Sequence, residues 1–154
     1  MRVLQGDHTA RDMRIAIVVS RFNASITDAL LQGALSALEE HGCRQEQITV
    51  AHVPGALEIP ITAKKLASTR AYDAILCLGA VVRGETYHFE IVANETSRGM
   101  MQAMLETNIP MTMGVITVET MEQAQSRSSG KMGNKGYEAA LGAIEMVNLL
   151  RQCE

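Results

Sequence analysis

YDAILCLGAVVRGETYHFE, residues 72–90, decides the fold, because an apolar run stops abruptly at Arg83 and Gly84 and a helical pattern begins a few residues later. A continuous apolar run of this length is typical of a strand that is buried on both faces. The junction carries a glycine, a threonine and a histidine. The stretch therefore predicts a strand followed by a helix, with small, hydroxyl and imidazole groups where the one gives way to the other.

The same alternation extends in both directions along the chain. Apolar runs predict strands at 13–20, 47–53, 72–82 and 109–117. Helical spacing predicts helices at 25–42, 57–68, 87–107, 118–126 and 137–152, with a Gly- and Lys-rich loop at 127–136. Crossovers of helical length force parallel pairing. We therefore expect an α/β fold in three layers, with a four-stranded parallel sheet flanked by helices, an N-terminal arm at 1–12 and a single domain at 13–154.

Composition excludes several classes of protein. The 154 residues are 47% apolar and 20% charged with a net charge of −3, which suits a globular domain. Aromatic residues make up 3% and no basic block occurs, so we expect no nucleic-acid partner. No apolar run is long enough for a bilayer and the N-terminus lacks a signal-peptide core, so we expect a cytoplasmic protein with no membrane association. The three cysteines lack CxxC spacing, which disfavours a disulfide framework or a metal site.

Ligands of open α/β sheets bind beyond the carboxyl ends of the strands. This rule selects the segments 20–25, 52–58, 80–88 and 117–120. Phe22 follows the first strand and could stack on a flat ring, although it could equally cap the core edge. Gly55 would let the backbone approach a ligand, and Glu58 beside it suits hydroxyl groups. An ordinary turn explains the same residues.

The junction after the third strand is the strongest candidate. Glu85 and Thr86 offer N–H groups at a helix N-terminus, which favours a phosphate, and the Thr86 hydroxyl adds a donor. An imidazole such as that of His88 could move protons in either direction. A capping threonine and a packing histidine remain the plain alternatives. From the residues alone, the sequence predicts an α/β domain that binds a phosphorylated, partly aromatic small molecule.

The late basic loop supplies the remaining candidates. Arg127, Lys131 and Lys135 lie there, and an arginine can hold phosphate through two parallel hydrogen bonds. A solvated basic loop is the alternative.

These motifs together resemble the 6,7-dimethyl-8-ribityllumazine synthase family. The resemblance rests on RFN at 21–23, VPGALEIP at 53–60, GAVVRGETYHFE at 79–90 and RSSGKMGNKGYEAALGAIEM at 127–146, and it spans nearly the whole chain. It implies a flavodoxin-like fold and a transferase-type condensation in riboflavin biosynthesis. The substrates would be 5-amino-6-(D-ribitylamino)uracil and 3,4-dihydroxy-2-butanone 4-phosphate, and no metal or organic cofactor would be needed.

The resemblance also implies roles for particular residues. His88 would transfer protons, and Phe22 would stack on the pyrimidine. The other substrate-binding residues would be Ala56, Leu57, Glu58, Ala80, Val81, Val82, Glu85, Thr86, Met113, Arg127 and Lys135. Of these, Met113, Arg127 and Lys135 would come from the adjacent subunit. Many relatives carry Phe where this chain has Leu57 and Met113, and methionine can cover a flat ring through its sulfur.

Assembly follows from the same resemblance. We expect a homopentamer, which the short loop before the last helix allows to close into a 60-subunit shell, with the N-terminal arm added as a strand to a neighbour's sheet. Riboflavin synthase is a candidate partner. Two other functions stay open: an archaeal-type riboflavin synthase, and a flavin-binding or shell-forming protein without catalysis.

Overall fold

The computed structural model describes residues 1–129 and 133–154. The strands are β1 (Ile15–Ser20), β2 (Ile48–Val53), β3 (Ala74–Val82) and β4 (Met111–Val118). The helices are α1 (Ala24–Glu40), α2 (Ile59–Ser68), α3 (His88–Thr107), α4 (Met121–Ser129) and α5 (Lys135–Arg151). Single 3-10 turns at Gln45–Gln47 and Ala56–Glu58 precede β2 and α2.

The four strands form one parallel sheet in the order β2-β1-β3-β4. β1 and β3 occupy the centre, and their continuous apolar sequences match that position. β2 and β4 are the edges and have partly exposed residues. The predicted α/β fold with a four-stranded parallel sheet is therefore confirmed.

Successive residues of each strand enter opposite halves of the core, because side chains alternate across a sheet. Ile17 and Leu76 face the layer that contains α1 and α5. Val18 and Cys77 face the layer that contains α2 and α3. The sheet is thus covered on both sides, and the three-layer arrangement predicted from the alternation is confirmed.

The predicted loop at 127–136 is wrong at both ends. α4 continues to Ser129, so Arg127 lies in the last turn of a helix, and Lys135 is the first residue of α5. Ser128 is 1% exposed, so packing of this last turn extends a helix whose polar sequence gave little signal. Lys131 lies outside the described residues.

The N-terminal arm is extended and lies along α5 of its own chain. The Asn148 side chain donates to the Asp7 carbonyl at 3.0 Å and the Thr9 carbonyl at 3.0 Å, and Gln152 donates to the Gln5 carbonyl at 2.7 Å. Only at Ala10 does the arm become buried. No helix among residues 1–129 and 133–154 is long and apolar enough to cross a membrane.

Candidate active site

A cavity of about 410 Å³ opens at the carboxyl ends of β1, β2 and β3. This is the edge that the parallel topology selects for ligands. Its walls come from three loops and the first turns of α3. The lining residues are Phe22, Asn23, Gly55, Ala56, Leu57, Glu58, Ala80, Val81, Val82, Gly84, Thr86, His88, Phe89 and Val92. Nine of the thirteen predicted site residues line the cavity, and Glu85, Met113, Arg127 and Lys135 do not.

The first wall is the turn between β1 and α1. The Phe22 amide donates to the Pro54 carbonyl at 3.2 Å, and the Phe22 ring is 72% exposed. Asn23 adopts the left-handed conformation with φ 63°, and its Nδ2 donates to the Ala80 carbonyl at 3.2 Å. The turn is therefore tied to both β2 and β3, and it presents an aromatic face to the cavity rather than covering the core.

The second wall is the turn between β2 and α2. The Glu58 amide donates to the Gly55 carbonyl at 3.3 Å, which closes the 3-10 turn. Ala56 is buried, whereas Leu57 is 42% exposed. The Glu58 carboxylate folds back over Gly55, where a Cβ would lie 3.3 Å from its Oε1. The turn thus offers an acceptor and an apolar side chain to the same cavity.

The third wall is the β3–α3 loop, which comprises residues 83–87, together with His88 at the start of α3. The Thr86 hydroxyl accepts from the His88 amide at 3.4 Å, and the N-cap residue Tyr87 makes no capping hydrogen bond through its side chain. Both side chains are exposed and line the cavity. The predicted meeting of a hydroxyl and an imidazole at a helix N-terminus is present. Glu85 does not line the cavity.

Arg83 is the basic residue of this loop, and it is already paired. Its guanidinium lies 2.5 Å from Glu90 Oε1 and 2.6 Å from Glu119 Oε2. The hydrogen bond to Glu90 is the main cause that raises the pKa of Arg83 above its ordinary value. The residues that line the cavity in the described part of the chain include no lysine or arginine. The described part of one protomer therefore presents acceptors, aromatic faces and an imidazole to the cavity, and it places no cation there.

Three predicted residues lie outside this cavity in their own chain. Met113 is on the edge strand β4 and is 48% exposed, on the face that carries α2 and α3. Arg127 donates to the Gln123 carbonyl at 3.2 Å within α4. Lys135 lies 3.1 Å from the carboxylate of Glu138 on α5. The single chain therefore does not bring these side chains to Thr86 and His88.

Phe89 and Val92 line the cavity although sequence reasoning did not select them. A signal was available, because positions 88, 89 and 92 share one face of a helix and Phe89 is the second of only two phenylalanines. The Arg83 guanidinium lies 4.4 Å from the centre of the Phe89 ring. In the described residues, no group of three or more His, Cys, Asp or Glu side chains could hold a metal ion.

The fold and cavity define an α/β protein with a small-molecule site at the carboxyl edge of a parallel sheet. The family model described as 6,7-dimethyl-8-ribityllumazine synthase matches residues 12–151. A protein of Kosmotoga olearia named 6,7-dimethyl-8-ribityllumazine synthase is 51% identical over 154 residues, which cover 100% of this chain and 99% of that protein. The chain belongs to the 6,7-dimethyl-8-ribityllumazine synthase family. The resemblance seen in the sequence motifs, and with it the expectation of a condensing enzyme, is confirmed.

Proposed function

We propose that this protein catalyses the reaction for which its family is named. It condenses 5-amino-6-(D-ribitylamino)uracil with 3,4-dihydroxy-2-butanone 4-phosphate, and it releases the lumazine, phosphate and water. The observation that carries the proposal is the convergence of Phe22, Glu58, Thr86 and His88 on one cavity. An aromatic wall, an acceptor, a hydroxyl and a titratable imidazole are the groups that a flat, polyhydroxylated substrate and a phosphate ester require.

The positions of the lining residues divide the cavity between the two substrates. Phe22 is free to stack on the pyrimidine, and the ends of β3 at Ala80, Val81 and Val82 supply backbone groups for the ring edge. Ala56, Leu57 and Glu58 face the ribityl chain. The amides of Glu85 and Thr86, in the loop just before α3, hold the phosphate, since N–H groups and the helix dipole favour an anion there.

The chemistry then follows from holding two reactants together. The 5-amino group attacks the ketone, the carbinolamine loses water to an imine, phosphate leaves by elimination, and ring closure with loss of a second water completes the product. Proximity supplies much of the acceleration because a bimolecular encounter becomes effectively unimolecular. His88 contributes by moving protons at the nitrogen and oxygen atoms that react.

Because the described cavity lining contains no lysine or arginine, we propose a site that two subunits share. Phosphate binding without lysine or arginine would be weak, and Arg127 and Lys135 lie outside the cavity of their own chain. We propose that an adjacent subunit supplies both residues, together with Met113. The exposed apolar side chains of Ile61, Met101 and Leu105 on α2 and α3 offer an apolar surface for such a neighbour. A second copy of this chain is the occupant, in a ring of five.

We extend the proposal to the N-terminal arm, the closed shell, a macromolecular partner and the location of the protein. Residues 1–12 act as the arm and 13–154 as the domain, and the arm adds a strand to a neighbour's sheet. Pentamers close into a 60-subunit shell, and riboflavin synthase is the candidate macromolecular partner. The protein acts in the cytoplasm.

The deciding experiment supplies both precursors to the purified protein and measures phosphate and lumazine together. Equal amounts of the two products are expected. Riboflavin formed from added lumazine would instead indicate the archaeal-type riboflavin synthase. Binding of the uracil with no release of phosphate would indicate a flavin-binding or shell-forming protein, and it would refute the proposed activity.

A further inference from the structure

Arg83 connects the end of β3 with the start of α3 and with the end of β4. Its amide donates to the Val118 carbonyl at 2.9 Å, which fixes its backbone to the end of β4. Its guanidinium lies 2.5 Å from Glu90 in the first turn of α3 and 2.6 Å from Glu119 just after β4. The same group covers the Phe89 ring at 4.4 Å.

The loop that Arg83 encloses has few contacts of its own. The Arg83–Glu90 pair closes a ring around residues 84–89, which include Thr86 and His88. Inside the ring, the described hydrogen bonds are His88 N to Thr86 Oγ1 at 3.4 Å and Glu90 N to the Tyr87 carbonyl at 3.0 Å. A Cβ at Gly84 would meet no described atom within 4 Å. Residues 83–87 are all exposed and Phe89 is the first side chain to pack on the core, so packing does little to fix the loop and the paired guanidinium joins its two ends.

Charge argues against a direct role for Arg83 in binding an anion. Two carboxylates already neutralise it, and it is absent from the cavity lining, whereas its neighbours Val82 and Gly84 are present. To reach a phosphate it would have to leave both partners. An ion pair that holds a loop in its binding geometry lowers the cost of ordering that loop when the ligand arrives.

We propose that Arg83 is a positioning residue, which holds the β3–α3 loop in the geometry that binds the phosphate by linking Glu90 to Glu119 beside Phe89. The inference rests on the proposed function, since it assigns the anion to that loop. Arg83 acts without touching the substrate, and removal of its partner Glu90 should weaken the binding of phosphate.

The test compares Glu90→Gln with Glu95→Gln, which removes an exposed ion pair with Arg98 on the same helix away from the cavity. A single exposed pair is worth up to about fivefold in an equilibrium constant. Glu90→Gln should therefore raise the KM of the phosphorylated substrate, and the inhibition constant of inorganic phosphate, by about two- to fivefold, with a smaller change in kcat. Glu95→Gln should leave both constants unchanged.

Arg83→Gln loses both pairs and the ring contact, so its KM should rise about tenfold, roughly the combined effect of two such pairs. Arg83→Lys keeps the charge and can satisfy one carboxylate, so its KM should lie between those of the wild type and Arg83→Gln. In the Arg83→Gln background, Glu90→Gln should raise KM little further, because the first substitution has already removed the Arg83–Glu90 pair.

Tighter binding of phosphate to Glu90→Gln would overturn the proposal. If Arg83 were a phosphate ligand restrained by its carboxylates, Glu90→Gln would free the guanidinium and tighten the binding of inorganic phosphate. Hydrogen exchange of amides 84–88 provides a measurement without substrate, and it should accelerate in Glu90→Gln but not in Glu95→Gln. Equal exchange in the two variants would also overturn the proposal. An inactive wild type would refute the proposed function, while exchange would still decide the role of Arg83.

Discussion

The side-chain amide of Asn134 occupies a notch on α1 that exists because residue 33 is a glycine. Its Nδ2 donates to the Ala29 carbonyl at 2.9 Å and the Ser128 carbonyl at 2.6 Å, and its Oδ1 accepts from the Tyr137 amide at 3.0 Å. One amide thus satisfies backbone groups of α1, α4 and α5. A Cβ on Gly33 would overlap the Asn134 amide.

Gly33→Ala should therefore destabilise the protein. Alanine favours a helix, but here its methyl group displaces an amide held by three hydrogen bonds. Overpacking of this kind lowers the free energy of unfolding by about 1–3 kcal/mol. Gly142→Ala on α5 is the matched control, because its Cβ would meet only the Thr112 methyl at 3.7 Å. That control should gain up to about 1 kcal/mol from helix propensity. Urea denaturation of both variants measures the difference.

Asn134→Ala tests whether Gly33→Ala destabilises the protein through overlap with Asn134 or through the added methyl group on α1 in general. This change removes the cap of α5 and leaves two carbonyls without their donor, so it should cost about 2–3 kcal/mol by itself. In the Asn134→Ala background the clash is absent, and Gly33→Ala should become neutral or stabilising. Additive losses in the double variant would contradict the notch as the explanation.

Cys77 should make the protein less stable at alkaline pH. Burial raises the pKa of this thiol to about 12 from an ordinary value of 9.0. The unfolded chain releases the proton above pH 9.0 while the folded chain retains it. The stabilising contribution is therefore complete below that pH and is lost as the pH rises toward 12, with a slope of about 1.4 kcal/mol per pH unit.

The measurement is the free energy of unfolding at pH 8 and pH 10 for the wild type and Cys77→Ala. Groups other than Cys77 contribute equally to both proteins, so the difference in slope isolates the thiol. Cys77→Ala should have a lower free energy of unfolding than the wild type at both pH values, because the substitution leaves a cavity. Its free energy of unfolding should nevertheless decrease less steeply with pH. Parallel slopes would show that Cys77 ionises alike in the folded and unfolded chains.

His88→Ala should slow the enzyme without abolishing it. A general acid–base group contributes on the order of 10²- to 10⁴-fold, whereas proximity of the two substrates is retained. The expected result is a lower kcat with KM values close to those of the wild type, measured by single-turnover and steady-state phosphate release. Complete loss of turnover with both substrates still bound would assign to His88 more than proton transfer.

Mixing two inactive or slow variants tests the shared site. In a ring, Arg127→Gln chains keep His88 and His88→Ala chains keep Arg127, so some contacts between unlike chains contain both residues. Random assembly of equal amounts should give about a quarter of the sites intact, because each site needs one particular chain on each side. Co-refolded mixtures should exceed the mean activity of the separate variants. A mixture equal to that mean would place Arg127 and His88 in sites that do not share chains.

The sequence predicted the sheet and most of the cavity wall because both depend on short-range patterns. Apolar runs located β1 and β3, and the rule for parallel sheets then brought Phe22, Glu58 and Thr86 to one edge. The last turn of α4 was missed because it is stabilised by the burial of Ser128 and by the hydrogen bond from Asn134 to the Ser128 carbonyl. Asn134 is itself held by the Ala29 carbonyl, which is 105 positions away in sequence.

Local sequence patterns could not predict the contact between Arg83 and Glu119 or the roles of Arg127 and Lys135. Arg83 and Glu119 are 36 positions apart in sequence and meet only because β3 pairs with β4. In the proposed assembly, Arg127 and Lys135 act on a second chain, so neither periodicity nor the fold of one protomer could locate that contribution.

The arm along α5 also brings the two ends of the chain together. The Arg2 guanidinium donates to the Gln152 carbonyl at 3.0 Å. A peptide fused to either end would leave from the same patch of surface, and a linker between residues 152 and 2 would have to span little more than the length of an arginine side chain. A circular permutant reopened in an exposed turn should therefore keep the same sheet order with new termini.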